Sequence, residues 1–265
     1  MTPIFIAGPC VIESYEVLNT VAEKIVQINR KLGVDIIFKS SFDKANRTSI
    51  SSYRGVGIER GITMLGQIKE KWGLKTITDI HEPWQAEIVA QSVDVIQIPA
   101  FLCRQTDLLV AAAKTGKTVN IKKSQMLSGL DMRYPYQKVA ESGASEIWLT
   151  ERGNSFGYNN LVVDFRNIPQ MQSFAPKVIM DCTHSVQRPG AGCGQSDGDS
   201  RYISSMALAA KAFGADGYFF EVHPNPSKAL CDNACSFIVE NDAKGLAPFL
   251  MCYTELLQSG VQLDI

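Results

Sequence analysis

One pattern runs the length of this chain and constrains its fold more than any other. Short β-branched runs alternate, eight times over, with longer segments of helical periodicity. The spacing predicts strands at 4–7, 36–40, 75–79, 93–98, 118–122, 146–150, 178–181 and 217–222, and helices near 15–31, 57–71, 84–91, 105–115, 134–142, 160–172, 200–213 and 239–258. On the first helix Val17, Leu18, Val21, Ile25 and Ile28 fall on one stripe, with Glu23 and Lys24 among the polar positions. Ser14 with Glu16 just inside reads as its start, and Gly33 as its stop. Strict alternation calls for parallel strands with crossover helices, because a parallel pair cannot be joined by a tight turn. Eight repeats, with no Gly-x-Gly-x-x-Gly after the first strand, favour closure into a (β/α)8 TIM barrel over an open sheet. At 265 residues the chain has the usual size of one such barrel. No linker, low-complexity tract or charge block divides it, so a single barrel domain over 1–265 is expected.

Charge and cysteine usage exclude several classes. Lys+Arg 26 nearly balances Asp+Glu 27, which leaves no global field to hold nucleic acid or an anionic membrane. Anion binding must therefore come from local clusters. No apolar run reaches the roughly 18 residues of a membrane span, and the opening Met-Thr-Pro-Ile-Phe-Ile-Ala-Gly lacks the basic head of a signal peptide. The 7 Cys are odd in number and scattered, which suits reduced thiols or a metal site better than a disulfide scaffold. A cytoplasmic protein is expected.

Barrel enzymes keep their chemistry at the C-terminal ends of the strands, and here those ends carry most of the unusual residues. All 3 His, at 81, 184 and 223, fall there. Two clusters separate. Lys39, Lys44, Arg47, Lys122 and Arg152 leave strands two, five and six, and several cations in one mouth repel one another unless an anion neutralises them. Phosphate and carboxylate are the natural guests, with Arg forking onto oxygen pairs and Lys acting as a point charge. The bland alternative is a set of solvated or salt-bridged side chains. The second cluster is Cys10, His184 and Glu221, which meet because strands one, seven and eight are neighbours in a closed barrel, with Asp232 in the loop after strand eight. A thiolate, an imidazole and two carboxylates suit Zn2+, Fe2+ or Mn2+. A buried structural Cys, a hydrogen-bonded His and two loop carboxylates fit the same residue types equally well. Cys103, Cys182 and Cys252 are expected as small buried hydrophobes, whereas Cys231 and Cys235 flank Asp232 and are alternative ligands.

Four stretches carry a resemblance: Lys39-Ser-Ser-Phe-Asp-Lys-Ala-Asn-Arg47, Gln97-Ile-Pro-Ala-Phe-Leu-Cys-Arg-Gln-Thr-Asp107, Glu151-Arg-Gly-Asn-Ser-Phe-Gly-Tyr-Asn-Asn160 and Asp181-Cys-Thr-His-Ser185. Together they closely resemble the 3-deoxy-D-manno-octulosonate 8-phosphate synthases, from strand one to about residue 232. That family condenses phosphoenolpyruvate with arabinose 5-phosphate on the route to the lipopolysaccharide inner core. The Cys after Gly8-Pro9 resembles its metal-dependent branch, where the metal-independent branch has Asn. The resemblance implies that Lys122 and Arg152 hold the phosphate of phosphoenolpyruvate, helped by Gln97 and the Ala100 backbone. It implies Lys39, Ser41 and Lys44 around the carboxylate, and Asn46, Arg47 and Thr48 at the arabinose 5-phosphate end. Arg104 would reach in from a neighbouring subunit of a homotetramer. Cys10, His184, Glu221 and Asp232 would bind a divalent metal (Zn, Fe, Mn or Co), with Asp79 and His81 close by. Lys39, Lys44, Asn46, Asp79, His81 and His184 are accordingly the catalytic candidates. Loop 190–201 departs from the family's expected Gly-Gly-x-Arg. The nearest rival is the sister 3-deoxy-D-arabino-heptulosonate 7-phosphate synthase, which uses erythrose 4-phosphate and reads Lys-Pro-Arg-Thr where this chain has Lys44-Ala-Asn-Arg47. A non-catalytic sugar-phosphate-binding barrel is the reading from another class.

Overall fold

The structure is a computed structural model that describes residues 3–192, 195–231, 237–238 and 254–257. Eight parallel strands form one closed sheet: Ile4–Gly8, Ile36–Lys39, Thr76–Asp79, Val95–Ile98, Thr118–Lys122, Ile147–Glu151, Lys177–Asp181 and Gly217–His223. Each pairs with the next, and the last returns to the first in the register Ile4↔Gly217 to Gly8↔Glu221, which closes the barrel. The expected (β/α)8 architecture is the one observed.

The first helix, Tyr15–Leu32, begins where Ser14 accepts a hydrogen bond from the Val17 amide (3.3 Å). It ends at Gly33, whose positive φ of 66° suits a residue without Cβ. The crossover helices that follow are Ile58–Trp72, Gln85–Ala90, Thr106–Lys114, Arg133–Glu141, Asn167–Gln172 and Ile203–Ala212. Residues 254–257 are helical; most of the predicted helix 239–258 lies outside the described residues. Among the described residues no helix is long and apolar enough to cross a membrane.

Two predicted features differ. The segment 160–172 is not one helix: Leu161–Val162 pairs antiparallel with Asn154–Ser155, and the helix starts only at Asn167. Val162 and Val163 favour extended backbone, and Asp164 then caps the turn by accepting from the Arg166 amide (3.1 Å). The loop 190–201 contains part of a hairpin, Gln187–Gly192 against Gln195–Gly198.

Alternation along the strands positions the site. Ile6, Ile37, Ile77, Val95, Trp148, Ile179 and Phe219 fill the barrel interior, while their sequence neighbours, such as Phe5, Ile36, Phe38 and Val178, pack under the helices. Side chains on a strand share a face every second residue. Two residues beyond the apolar layer the same inward positions are Gly8, Lys39, Asp79, Gln97, Thr150, Asp181 and Glu221, and Lys122 occupies this level on strand five. The lumen is therefore apolar below and densely charged at the mouth. Gly8 is required for closure, because a Cβ there would overlap the Lys39 carbonyl oxygen.

Candidate active site

Lys39 and Asp79 stand on adjacent strands, both almost wholly buried. Lys39 Nζ donates to Ser41 Oγ (2.8 Å) and to the Cys10 carbonyl (3.2 Å) and lies 3.7 Å from Asp79 Oδ1. Ser41 Oγ in turn donates to Asp79 Oδ1, and His81 Nε2 lies 3.2 Å from Asp79 Oδ2. Burial alone would raise the Asp79 carboxyl, but Lys39, the His81 hydrogen bond and Lys44 outweigh it and hold that group well below its ordinary range. Burial, and after it the nearby Lys44, lowers the Lys39 ammonium.

Across the mouth, Asp181 organises strands five, seven and eight. Its Oδ2 accepts from Lys122 Nζ (2.6 Å) and lies 2.7 Å from His184 Nδ1, and its Oδ1 accepts from the His184 amide (2.8 Å). The Lys122 ammonium also sits over the Phe219 ring, 4.1 Å from its centroid. With Nδ1 held by Asp181, His184 turns Nε2 toward Glu221 Oε1 at 3.2 Å. Burial opposes charge on that imidazole, yet Asp181 and Glu221 push it up to about 10. Burial likewise disfavours charge on Glu221, but His184 and Lys44 bring its carboxyl down to about 2. Both Glu221 oxygens are buried; Oε1 faces the cations of His184 and Lys44, and Oε2 has no hydrogen-bond partner among the described residues.

Cys10 lies just past strand one, beside this carboxylate. Burial, the neighbouring Cys231 and Glu221 raise its thiol well above the ordinary value. The donor types fit a divalent cation: a thiol, an imidazole oriented through its other nitrogen by a carboxylate, and a buried carboxylate with an oxygen left without a hydrogen bond among the described residues. The demand for positive charge between His184 Nε2 and Glu221, met here by a proton on the imidazole, is the demand a metal would meet. Among the described residues no three such side chains close to a coordination sphere, and the predicted fourth ligand, Asp232, lies outside the described residues.

Between the two clusters lies a cavity of about 200 Å³ lined by Lys39, Lys44, Asp79, Lys122, Arg152 and His184. Asn46, His81, Gln97 and Ala100 line it too. Arg152 is buried, and its Nη2 donates to Gln187 Oε1 at 3.1 Å. Its backbone is aimed by Glu151, whose Oε1 accepts from the amides of Arg152 (2.8 Å) and Gly153 (2.6 Å). Glu151 is balanced by the fully buried Lys123, 3.4 Å away. Lys44 Nζ lies 4.0 Å from Glu221. Burial disfavours its charge, but Cys10 and Glu221 raise the group well above its ordinary value.

Four predicted substrate residues do not line the cavity: Ser41, fully buried between Lys39 and Asp79, and Arg47, Thr48 and Arg104. Arg47 turns to Cys231, with Nη1 3.1 Å from its Sγ and Nη2 3.4 Å from the Leu230 carbonyl. Thr48 is exposed. Arg104 is also exposed and lines a separate hollow of about 330 Å³ with Tyr134 and Lys138. Sequence reasoning gave no role to Asp181, Gln187, Glu151 or Lys123. Only Asp181 carried a signal, as the acid three residues before His184 at the last inward position of its strand.

The model of the DAHP synthetase I family matches residues 2–258. The chain belongs to this family. Within the DAHP synthetase I family, the chain is 50% identical over 264 residues to a protein of Wolinella succinogenes named 2-dehydro-3-deoxyphosphooctonate aldolase, covering 96% of this chain and all of that one. Proteins of the same name from Helicobacter hepaticus (53% over 240 residues, 86% of this chain and 88% of that one) and Fusobacterium nucleatum (54% over 229 residues, 86% and 82%) are similarly close.

Proposed function

We infer that this chain is a 2-dehydro-3-deoxyphosphooctonate aldolase, that is, a 3-deoxy-D-manno-octulosonate 8-phosphate synthase. It condenses phosphoenolpyruvate with D-arabinose 5-phosphate and water, yielding the 8-phosphate and inorganic phosphate for lipopolysaccharide assembly. The observation that carries the reading is identity of about half the residues over nearly the whole chain to relatives of that name, joined to a cation-lined cavity at the barrel mouth.

Lys122 and Arg152 are the phosphate holders in this reading, and Lys39 and Lys44 the carboxylate holders. They present the enol carbon to the sugar aldehyde at near-attack distance. Carbon–carbon bond formation leaves positive character at C2. Water captures it, and the resulting hemiketal phosphate releases inorganic phosphate by C–O cleavage. No Schiff base is needed, so the lysines act as cations throughout. Asp79 stays ionised beside them, which suits it to orient Lys39 and His81 rather than to donate a proton. A divalent metal held by Cys10, His184, Glu221 and Asp232 would polarise or orient the aldehyde or the water. The reduced thiols suit a cytoplasmic protein, and an exposed Arg104 suits a homotetramer in which it completes a neighbour's site. Asn46, Arg47 and Thr48 would then take the arabinose 5-phosphate end once Arg47 leaves Cys231.

Phosphate release from phosphoenolpyruvate is measured with arabinose 5-phosphate and with erythrose 4-phosphate, each with and without chelator. Higher kcat/KM with arabinose 5-phosphate is expected. Preference for erythrose 4-phosphate would move the chain to the heptulosonate branch, and no release with either sugar would leave a binding barrel.

A further inference from the structure

Cys10 and Cys231 are 221 positions apart in sequence, yet their sulfurs lie 2.9 Å apart. Both are thiols, nearly buried in a small cluster with Val11. A disulfide needs an S–S separation of about 2.05 Å, so closing this pair takes less than ~1 Å of movement. The approach is built into the backbone on both sides. The Cys10 carbonyl accepts from the Ser41 amide (3.3 Å), and the Ile12 amide donates to the Ser41 carbonyl (2.9 Å). On the other side the Leu230 amide donates to Glu13 Oε1 (2.9 Å), which also lies 3.5 Å from His223 Nε2. Arg47 Nη1 lies 3.1 Å from Cys231 Sγ and donates to it, which fixes that sulfur beside Cys10.

We propose that Cys10 and Cys231 are a reversible dithiol–disulfide pair, oxidised by a hydroperoxide, whose disulfide form withdraws the Cys10 sulfur from the metal centre. The Cys231 sulfur attacks the outer peroxide oxygen, the O–O bond breaks, and an alcohol or water leaves with the thiol proton. Cys10 then attacks the sulfenic sulfur, the S–S bond forms, and water leaves. Two thiols lose two electrons, and the hydroperoxide takes them. The bridge ties the end of strand one to the segment after strand eight. It also removes the sulfur that Arg47 contacts, so one oxidation acts on the metal centre and on a substrate candidate together. The consequence for metal rests on the proposed role of Cys10; formation of the bond does not.

The test treats the metal-free full chain with stoichiometric hydrogen peroxide, then maps thiols and cross-links by mass spectrometry. Cleavage on the amino side of Asp232 separates Cys231 from Cys235. Expected are a loss of two thiols per chain, a peptide linking Cys10 to Cys231, and loss of zinc uptake that dithiothreitol restores in full. In Cys231→Ser, which lacks the thiol that meets the peroxide first, no Cys10 cross-link forms and zinc uptake survives the same treatment. The pair is overturned if Cys10 links to another cysteine, stays reduced while other thiols are consumed, or appears as sulfinic acid in the unmodified chain. A Cys10–Cys231 bond in a protein that never takes up metal would leave the pair standing and sink the metal role.

Discussion

Arg152 shows how a single residue becomes a ligand site. It follows directly on strand six, its backbone amide is held by Glu151, and its guanidinium is steadied by Gln187 inside the cavity. Arg152→Ala should lower kcat/KM for phosphoenolpyruvate by the equivalent of about 2–5 kcal/mol, the usual effect of truncating one member of a buried charge pair. Steady-state phosphate release checks this, and unchanged kinetics would return Arg152 to a structural role. At this scale the sequence is informative for Lys39, Lys122 and Glu221, charged residues at a strand's last inward position, whereas Asp79 enters only through the family resemblance. The sequence is uninformative about orientation. Nothing local to residues 44–48 shows that Arg47 turns to a sulfur from residue 231, because that contact depends on a loop at the far end of the chain. Asp181 is illegible in the sequence for a related reason. Its role, fixing the His184 ring while anchoring Lys122, exists only once strands five and seven are brought together.

At the scale of elements, the eight strands are legible because β-branched runs bounded by turns are strong signals, and their observed limits lie within two residues of the expected ones. Short pairings were not legible. Asn154–Ser155 and Leu161–Val162 are two residues each, too short to show alternation, and the apolar run after Asn160 was absorbed into the following helix. That hairpin lies directly after a turn held by a buried charge pair. Lys123 Nζ donates to the Gly153 carbonyl (3.3 Å) and to Asn154 Oδ1 (3.0 Å), and Glu151 accepts two amides from the same turn. Glu151→Ala should therefore destabilise the fold by roughly 3–5 kcal/mol, since it strands a buried ammonium and frees two buried amides. Glu151→Gln, which retains an acceptor, should cost less. Thermal or urea unfolding measures both; equal small losses would mean that water replaces the carboxylate and that the turn does not depend on it.

For the whole molecule, the barrel was readable from count and alternation, whereas the metal centre draws on both ends of the chain and so had no local motif. Its charges make stability depend on pH. Asp79 and Glu221 have folded pKa values below their ordinary ones, Glu221 at about 2. Their contribution is therefore present above about pH 4, near the unfolded value, and is lost as pH falls through the folded values, which for Glu221 is about 2. Unfolding titrations of the metal-free protein should show stability declining across that window. Metal binding has its own pH dependence, set by Cys10. Burial and its neighbours raise that thiol well above the ordinary range, so at neutral pH a metal must displace a proton to gain the thiolate. Affinity should then fall as pH falls, with proton release on binding detectable in weakly buffered solution. A metal that binds only the folded chain stabilises it by about 2.7 kcal/mol at a concentration 100 times its Kd, which for a chain of this size raises Tm by roughly 5–10 °C. Chelation should reverse that rise and abolish phosphate release together, and Mn2+, Zn2+ or Co2+ should restore both. Cys10→Ser should lose the Tm rise while keeping the metal-free Tm within a few degrees. Full turnover after exhaustive chelation, with no metal detected by elemental analysis, would remove the metal from the mechanism and leave the barrel-mouth cations to act alone.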